Sequence, residues 1–207
     1  MKKPLSRLIS ALLFIAAPIV LAGSSTELAV KGQITPSACT PDLSDSGTID
    51  FGKISAKDLY QNIETRLQTQ TLQLTVNCEA SALFAFRMLD NRAGSATGNG
   101  FGLGMINAGQ KLGRYDFNPR EPVADVPSTL LLSFGHRWVE IFDSFWLGPS
   151  DRVALGSRQS DGNWAPHPVK SAAITLVLNT YIAAAKDLTL TEEVPIDGLA
   201  TLELQYL

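Results

Sequence analysis

The chain is poor in the residue types that most often carry chemistry. Its 207 residues include only two histidines, His136 and His167, far apart, and two cysteines, Cys39 and Cys78. There is no Cys-x-x-Cys and no paired histidine, so no metal-ligand spacing is recognisable. Asp42, Asp45 and Asp50 lie close together but lack the EF-hand spacing and its closing glutamate. No Gly-x-Ser-x-Gly elbow occurs. Gly98, Gly100, Gly102 and Gly104 recur at every second residue and fail G-x-G-x-x-G in each register. Basic charge is also scarce, 17 Lys and Arg against 20 Asp and Glu, which argues against a nucleic acid or an anionic membrane surface as partner. These absences point away from an enzyme, and the sequence calls for no cofactor and no metal.

What is present begins at the N-terminus. Lys2, Lys3 and Arg7 form a positive region, residues 8–21 are apolar apart from Ser10 and Pro18, and Val20 and Ala22 supply small side chains for cleavage. Residues 1–22 therefore read as a secretory signal peptide. The run is too short for a retained anchor, which needs about 20 apolar residues, and no cysteine follows the cleavage site to carry a lipid. Residues 23–207 are expected to form a single exported domain, in the periplasm or at the cell surface, with no integral membrane segment after cleavage. Loss of Lys2, Lys3 and Arg7 leaves 14 basic residues against 20 acidic ones, a net charge of −6. Two cysteines in an oxidising compartment read as one disulfide, the alternative being two buried free thiols.

Strand signals dominate the rest. Residues 28–35, 48–51, 69–77, 82–89, 173–182, 188–190 and 200–207 all read as extended segments, several alternating with period two. Residues 54–66 are the one stretch that could hold a helical turn or two. Residues 91–168 form an expanded Gly- and Pro-rich region that includes an aromatic stretch. There Trp138, Phe142, Phe145 and Trp146 read as core packing, and Trp164, in a polar turn, is the better candidate for an exposed contact without that being its preferred reading. Many short strands split by Gly, Pro, Asn and Asp point to an all-β sandwich. The final segment is the most informative. Alternation puts Ala200, Leu202, Leu204 and Tyr206 on one face, and no hairpin partner follows in the sequence, so something else is expected to pair with its far edge.

Three pieces together resemble the pilin subunits of chaperone–usher fimbriae. They are Gly32-Gln-Ile-Thr-Pro-Ser-Ala-Cys39, Ile49-Asp-Phe-Gly-Lys-Ile54 and Ala200-Thr-Leu-Glu-Leu-Gln-Tyr-Leu207 with its penultimate tyrosine. The stretches 179–190 and 194–207 also resemble a fimbrial-like family of secreted proteobacterial proteins classed as a domain of unknown function. The resemblance implies an immunoglobulin-like sandwich, with Cys39 bonded to Cys78, that lacks its seventh strand. It implies an acceptor groove flanked by Ala200, Leu202, Leu204 and Tyr206, and a donor segment carrying Leu28 and Val30. A periplasmic pilus chaperone, an usher and neighbouring fimbrial subunits are the partners it implies, through β-augmentation. The sequence departs from the pilin pattern in three places. Cleavage after Ala22 leaves about nine residues before Gly32. Val194 stands where pilins commonly carry a glycine, and residues 91–168 are surplus. The alternative is a soluble periplasmic sandwich, with a binding or regulatory role, that closes its own edge with residues 91–168 or with Leu28 and Val30.

Overall fold

The computed structural model describes residues 38–142 and 145–207. The signal segment, Leu28 and Val30 lie outside the described residues. The strands run in chain order as β1 (Cys39–Leu43), β2 (Thr65–Arg66), β3 (Gln70–Ala82), β4 (Phe84–Asp90), β5 (Phe101–Gly102), β6 (Met105–Ile106) and β7 (Gln110–Lys111). They continue as β8 (Gly113–Ala124), β9 (Thr129–Phe134), β10 (Arg137–Glu140), β11 (Arg152–Arg158), β12 (Trp164–Pro166), β13 (Val169–Ile182) and β14 (Ala200–Tyr206). One sheet follows the order β1-β3-β13-β8-β5, with β2 also on β13. The other follows β12-β10-β9-β11-β4-β14. Six of these strands reproduce an immunoglobulin-like arrangement. β1, β3, β13 and β8 take the A-B-E-D places and β4 and β14 take C and F, in the right chain order, with the G place vacant among the described residues.

Side-chain alternation explains why the two sheets face each other. On β13, Ala172, Ile174, Leu176, Leu178, Thr180 and Ile182 are buried while their neighbours are not. On β3, Leu72, Leu74, Val76 and Cys78 do the same, and the register sets Leu74 opposite Ile174 and Leu72 opposite Leu176. The other sheet contributes Phe84, Phe86 and Met88 from β4, Leu130 and Leu132 from β9 and Val153 from β11, all in one apolar cluster. Burial of this kind stabilises by about 1.5–3 kcal/mol for each large side chain. Cys39 and Cys78 are directly opposed on β1 and β3 and are disulfide-bonded. The bond thus pins an edge strand to the core.

Several expected elements come out differently. Residues 48–51 form no strand and pair with none among the described residues. β1 leaves the sheet at Ser44–Gly47, where Asp45, Ser46 and Gly47 take left-handed φ values of 52°, 53° and 70°, so the following chain cannot continue along β3. Residues 188–190 are not a strand either. The side chains of Asn107 and Gln110 bond the backbone of Thr189 in place of a ladder. Within residues 54–66 the helical content is one 3₁₀ turn, Ala56–Asp58.

The expanded region builds outward. β9–β12 extend the second sheet beyond β4, on the side away from β14, and β5 caps the outer edge of β8. Self-closure of the sandwich by residues 91–168 is therefore not what the fold does, because none of their strands pairs with the outer edge of β14. Phe145 packs on the core. Phe142 and Trp146 are instead exposed, and the next residue after Trp146, Leu147, bonds Phe117 of the other sheet. Trp164 is half-buried rather than exposed, because β12 sets it opposite Trp138.

Candidate functional site

β1 and β14 are edge strands of different sheets, and they lie along the same flank. The Cys39 N–H donates to the Tyr206 Oη at 2.9 Å, and at the other end Leu43 and Ala200 line one cavity. The two strands therefore run in opposite directions past each other, with a seam between them.

Backbone alternation decides what each lip offers. In an antiparallel pair, a residue turns both its N–H and its C=O to the same side. Asn91 N–H donates to Leu199 O and Leu207 N–H to Leu83 O, each at 3.0 Å. Thr201, Glu203 and Gln205 therefore face β4, and Ala200, Leu202, Leu204 and Tyr206 turn their backbone groups to the outer edge. No strand pairs with that edge among the described residues. On β1, Glu79 N–H donates to Ala38 O at 3.0 Å, which turns Cys39, Pro41 and Leu43 outward. The Cys39 N–H is held by Tyr206 and Pro41 has none. Leu43 is left as the one outward donor without a partner among the described residues. A proline with its missing donor toward the edge, and a capped neighbour, are the features that blunt a strand edge.

Beneath the lips the core is incompletely covered. Leu202 and Leu204 on β14 are only half-buried, although they stand opposite the fully buried Met88 and Phe86. Leu43, Ile49 and Phe51 line the other side in the same half-buried state. Toward the Ala200 end, a cavity of about 170 Å³ opens between the sheets. Its floor includes Leu72, Met88, Tyr115, Phe117 and Leu176. It shares Ile49, Phe51 and Ile196 with a wider trough of about 850 Å³ between residues 49–56 and 190–196. Lys53 and Glu193, both exposed, form an ion pair of 2.7 Å across that trough.

Polar contacts hold the approach to β14. The Arg92 guanidinium donates to both Asp197 carboxylate oxygens at 2.9 and 2.8 Å and to the Asp197 carbonyl at 3.1 Å. This bidentate bond holds the Asp197 carboxyl below the usual carboxylate range. Gly198 follows. A Cβ there would lie 2.9 Å from the Tyr115 ring, so glycine allows the chain to lie on the cavity floor. Tyr115 stacks on Phe101 at 5.3 Å and meets Phe117 edge-on at 5.5 Å. Burial, with Asp90 nearby, pushes its phenol well above the usual range.

The fold thus brings Ala200, Leu202, Leu204 and Tyr206 together on one free edge, and Cys39–Cys78 onto the facing lip. It also recruits Leu43, Pro41, Tyr115, Thr180 and Gly198, which sequence reasoning did not single out. Pro41 carried a readable signal, since a proline inside a strand must sit with its nitrogen toward an edge. Thr180 carried another, being the polar residue at a core position in the alternation of β13. Among the described residues no group of His, Cys, Asp and Glu is arranged to hold a metal ion, and no helix is long and apolar enough to cross a membrane.

Comparison with known proteins gives three similarities. A family model described as "Protein of unknown function (DUF1120)" matches residues 28–100. The chain is 24% identical to "Uncharacterized protein YhcF" of Escherichia coli (strain K12) over 231 residues, covering 90% of this chain and 92% of that protein. It is 24% identical to "Protein GltF" of the same organism over 246 residues, covering 96% of each.

Proposed function

We propose that this chain is a non-enzymatic, fimbrial-like structural or interaction protein of the cell envelope that accepts a β-strand along the outer edge of β14. One observation carries the proposal. Ala200, Leu202, Leu204 and Tyr206 turn their backbone groups to an edge with no strand partner among the described residues, above apolar side chains that are only half covered. An inserted strand would pair with those groups and drop alternate side chains onto Leu202, Leu204 and the cavity. A free edge of this kind over open core is an aggregation hazard. A periplasmic pilus chaperone, an usher and neighbouring fimbrial subunits are the partners whose chemistry fits, and export through the signal segment would bring the chain to them.

Expression in the periplasm tests this. Alone, the chain is expected to aggregate or be degraded, and with a strand-donating chaperone it is expected to copurify as a one-to-one complex. A soluble monomer without any partner, whose melting no added strand raises, would overturn the proposal in favour of a sandwich that closes its own edge. Deleting residues 24–30 separates the two further. A donor segment can be removed without unfolding the domain, whereas an internal closing strand cannot.

A further inference from the structure

The open flank does not end at Ala200. The cavity there runs on into the wider trough through Ile49, Phe51 and Ile196, which line both. At about 850 Å³ the trough lies within the range of about 300–1,000 Å³ typical of clefts that bind ligands. Leu112 and Ile182, both buried, give it an apolar lining. Its two walls, residues 49–55 and 190–196, belong to no strand. The backbone N–H groups of Phe51 and Ile54 on one wall, and of Val194 and Ile196 on the other, have no backbone partner among the described residues. Ile54 and Ile196 are 36% and 37% exposed. The charged residues of the lining are unbalanced, Asp50, Glu192 and Glu193 against Lys53. Lys53 pairs with Glu193, which leaves Glu192 without an ion-pair partner among the described residues.

Resting on the strand-accepting reading above, we infer that the trough is a second interaction surface for the same partner, whose inserted strand is longer than β14 and basic at one end. Past Ala200 that strand continues over the cavity into the trough. There its apolar side chains cover Ile54 and Ile196, and a lysine or arginine meets Glu192. Two features of the trough select this occupant. Apolar lining beside unused backbone donors suits an extended polypeptide, and the acidic excess favours a cationic one over an anionic one. The Lys53–Glu193 pair is no barrier, because both side chains are nearly nine-tenths exposed and such pairs are weak.

The probes are labelled synthetic peptides titrated into the full exported chain. The core peptide alternates valine and threonine over the seven-residue length of β14. Longer peptides add five residues, spanning roughly 17 Å, before or after that core, with valine alternating either with lysine or with glutamate. In one of the two placements the lysine extension is expected to tighten binding about ten-fold or more over the core, from burial of its valines and from the ion pair. The glutamate extension should give no such gain. In a Glu192→Gln, Glu193→Gln chain the lysine peptide should bind about five-fold more weakly, the upper worth of an exposed ion pair, while the core peptide, which does not reach the trough, binds as before. That chain should melt as wild type does, since both glutamates are exposed. The inference is overturned, with strand acceptance left standing, if the core peptide binds and neither placement of the lysine extension improves on it. It is overturned equally if glutamate serves as well as lysine, or if the lysine preference persists undiminished in the Glu192→Gln, Glu193→Gln chain. Absence of binding by every peptide, or binding unchanged in a Leu204→Pro chain, overturns both.

Discussion

β1 and β14 form the two lips of one seam, yet their outward edges are opposites. β14 presents Ala200, Leu202, Leu204 and Tyr206 without interruption, and its partner β4 anchors it through a seven-residue register. β1 presents a capped Cys39, a proline and Leu43, and is anchored by a disulfide as well as by its register with β3. One lip is available for pairing and the other is closed and reinforced. The difference teaches that an open sandwich need not offer two equivalent edges. On the strand-accepting proposal, an incoming strand would pair with β14, with Leu43 of β1 opposite.

The largest effect should come from releasing the closed lip. In the chain-entropy model, the crosslink over a sequence separation of 39 residues is worth roughly 4 kcal/mol. Replacing both cysteines by serine should lower the denaturant midpoint by a corresponding amount, with near-equal losses for the double variant and for the reduced wild type. If urea denaturation finds little change, the β1 lip is held by its register alone.

The intermediate effect comes from proline placed at the two parities of β14. Gln205→Pro removes a donor that faces β4 and is expected to cost about 2–4 kcal/mol, for a lost bond and an orphaned carbonyl. Leu204→Pro removes a donor that faces the open edge, a placement strands tolerate. It should fold and melt close to wild type while losing capture of an added strand. Melting and strand binding measured on both variants would show equal destabilisation if the parity assigned to β14 is wrong.

The smallest effect lies in unblocking β1. Pro41→Ala restores one outward donor, and Tyr206→Phe frees a second at a cost of about 1 kcal/mol or less for an exposed hydrogen bond. The double variant is expected to keep its fold and to self-associate more, followed by light scattering against concentration. Unchanged scattering would mean that the turn at Ser44–Gly47 protects β1 rather than the proline and the tyrosine.

The long strands were legible because their alternation is nearly unbroken. Leu72, Leu74 and Val76 on β3 and the run from Ile174 to Ile182 on β13 each assign a buried face by period two alone. The alternation of residues 200–206 was legible for the same reason. Residues 48–51 and 188–190 carried a similar local pattern and are not strands, because strand formation requires a partner edge within reach. A left-handed turn removes it in one case, and side-chain amides replace it in the other. Phe142 misled in the opposite sense. Aromatic composition predicts burial on average, but Phe142, just beyond the end of β10, is exposed.

By itself the sequence determined an all-β domain whose two cysteines could pair and whose last strand has one apolar face, since these follow from local periodicity and count. It could not determine which side of each strand would be left unpaired. That depends on strand order, which is set by contacts between residues far apart in the chain. Only the tertiary structure put β14 and β1 on the same flank, set β9–β12 on the far side of β4, and left Thr180 unpaired beneath the seam.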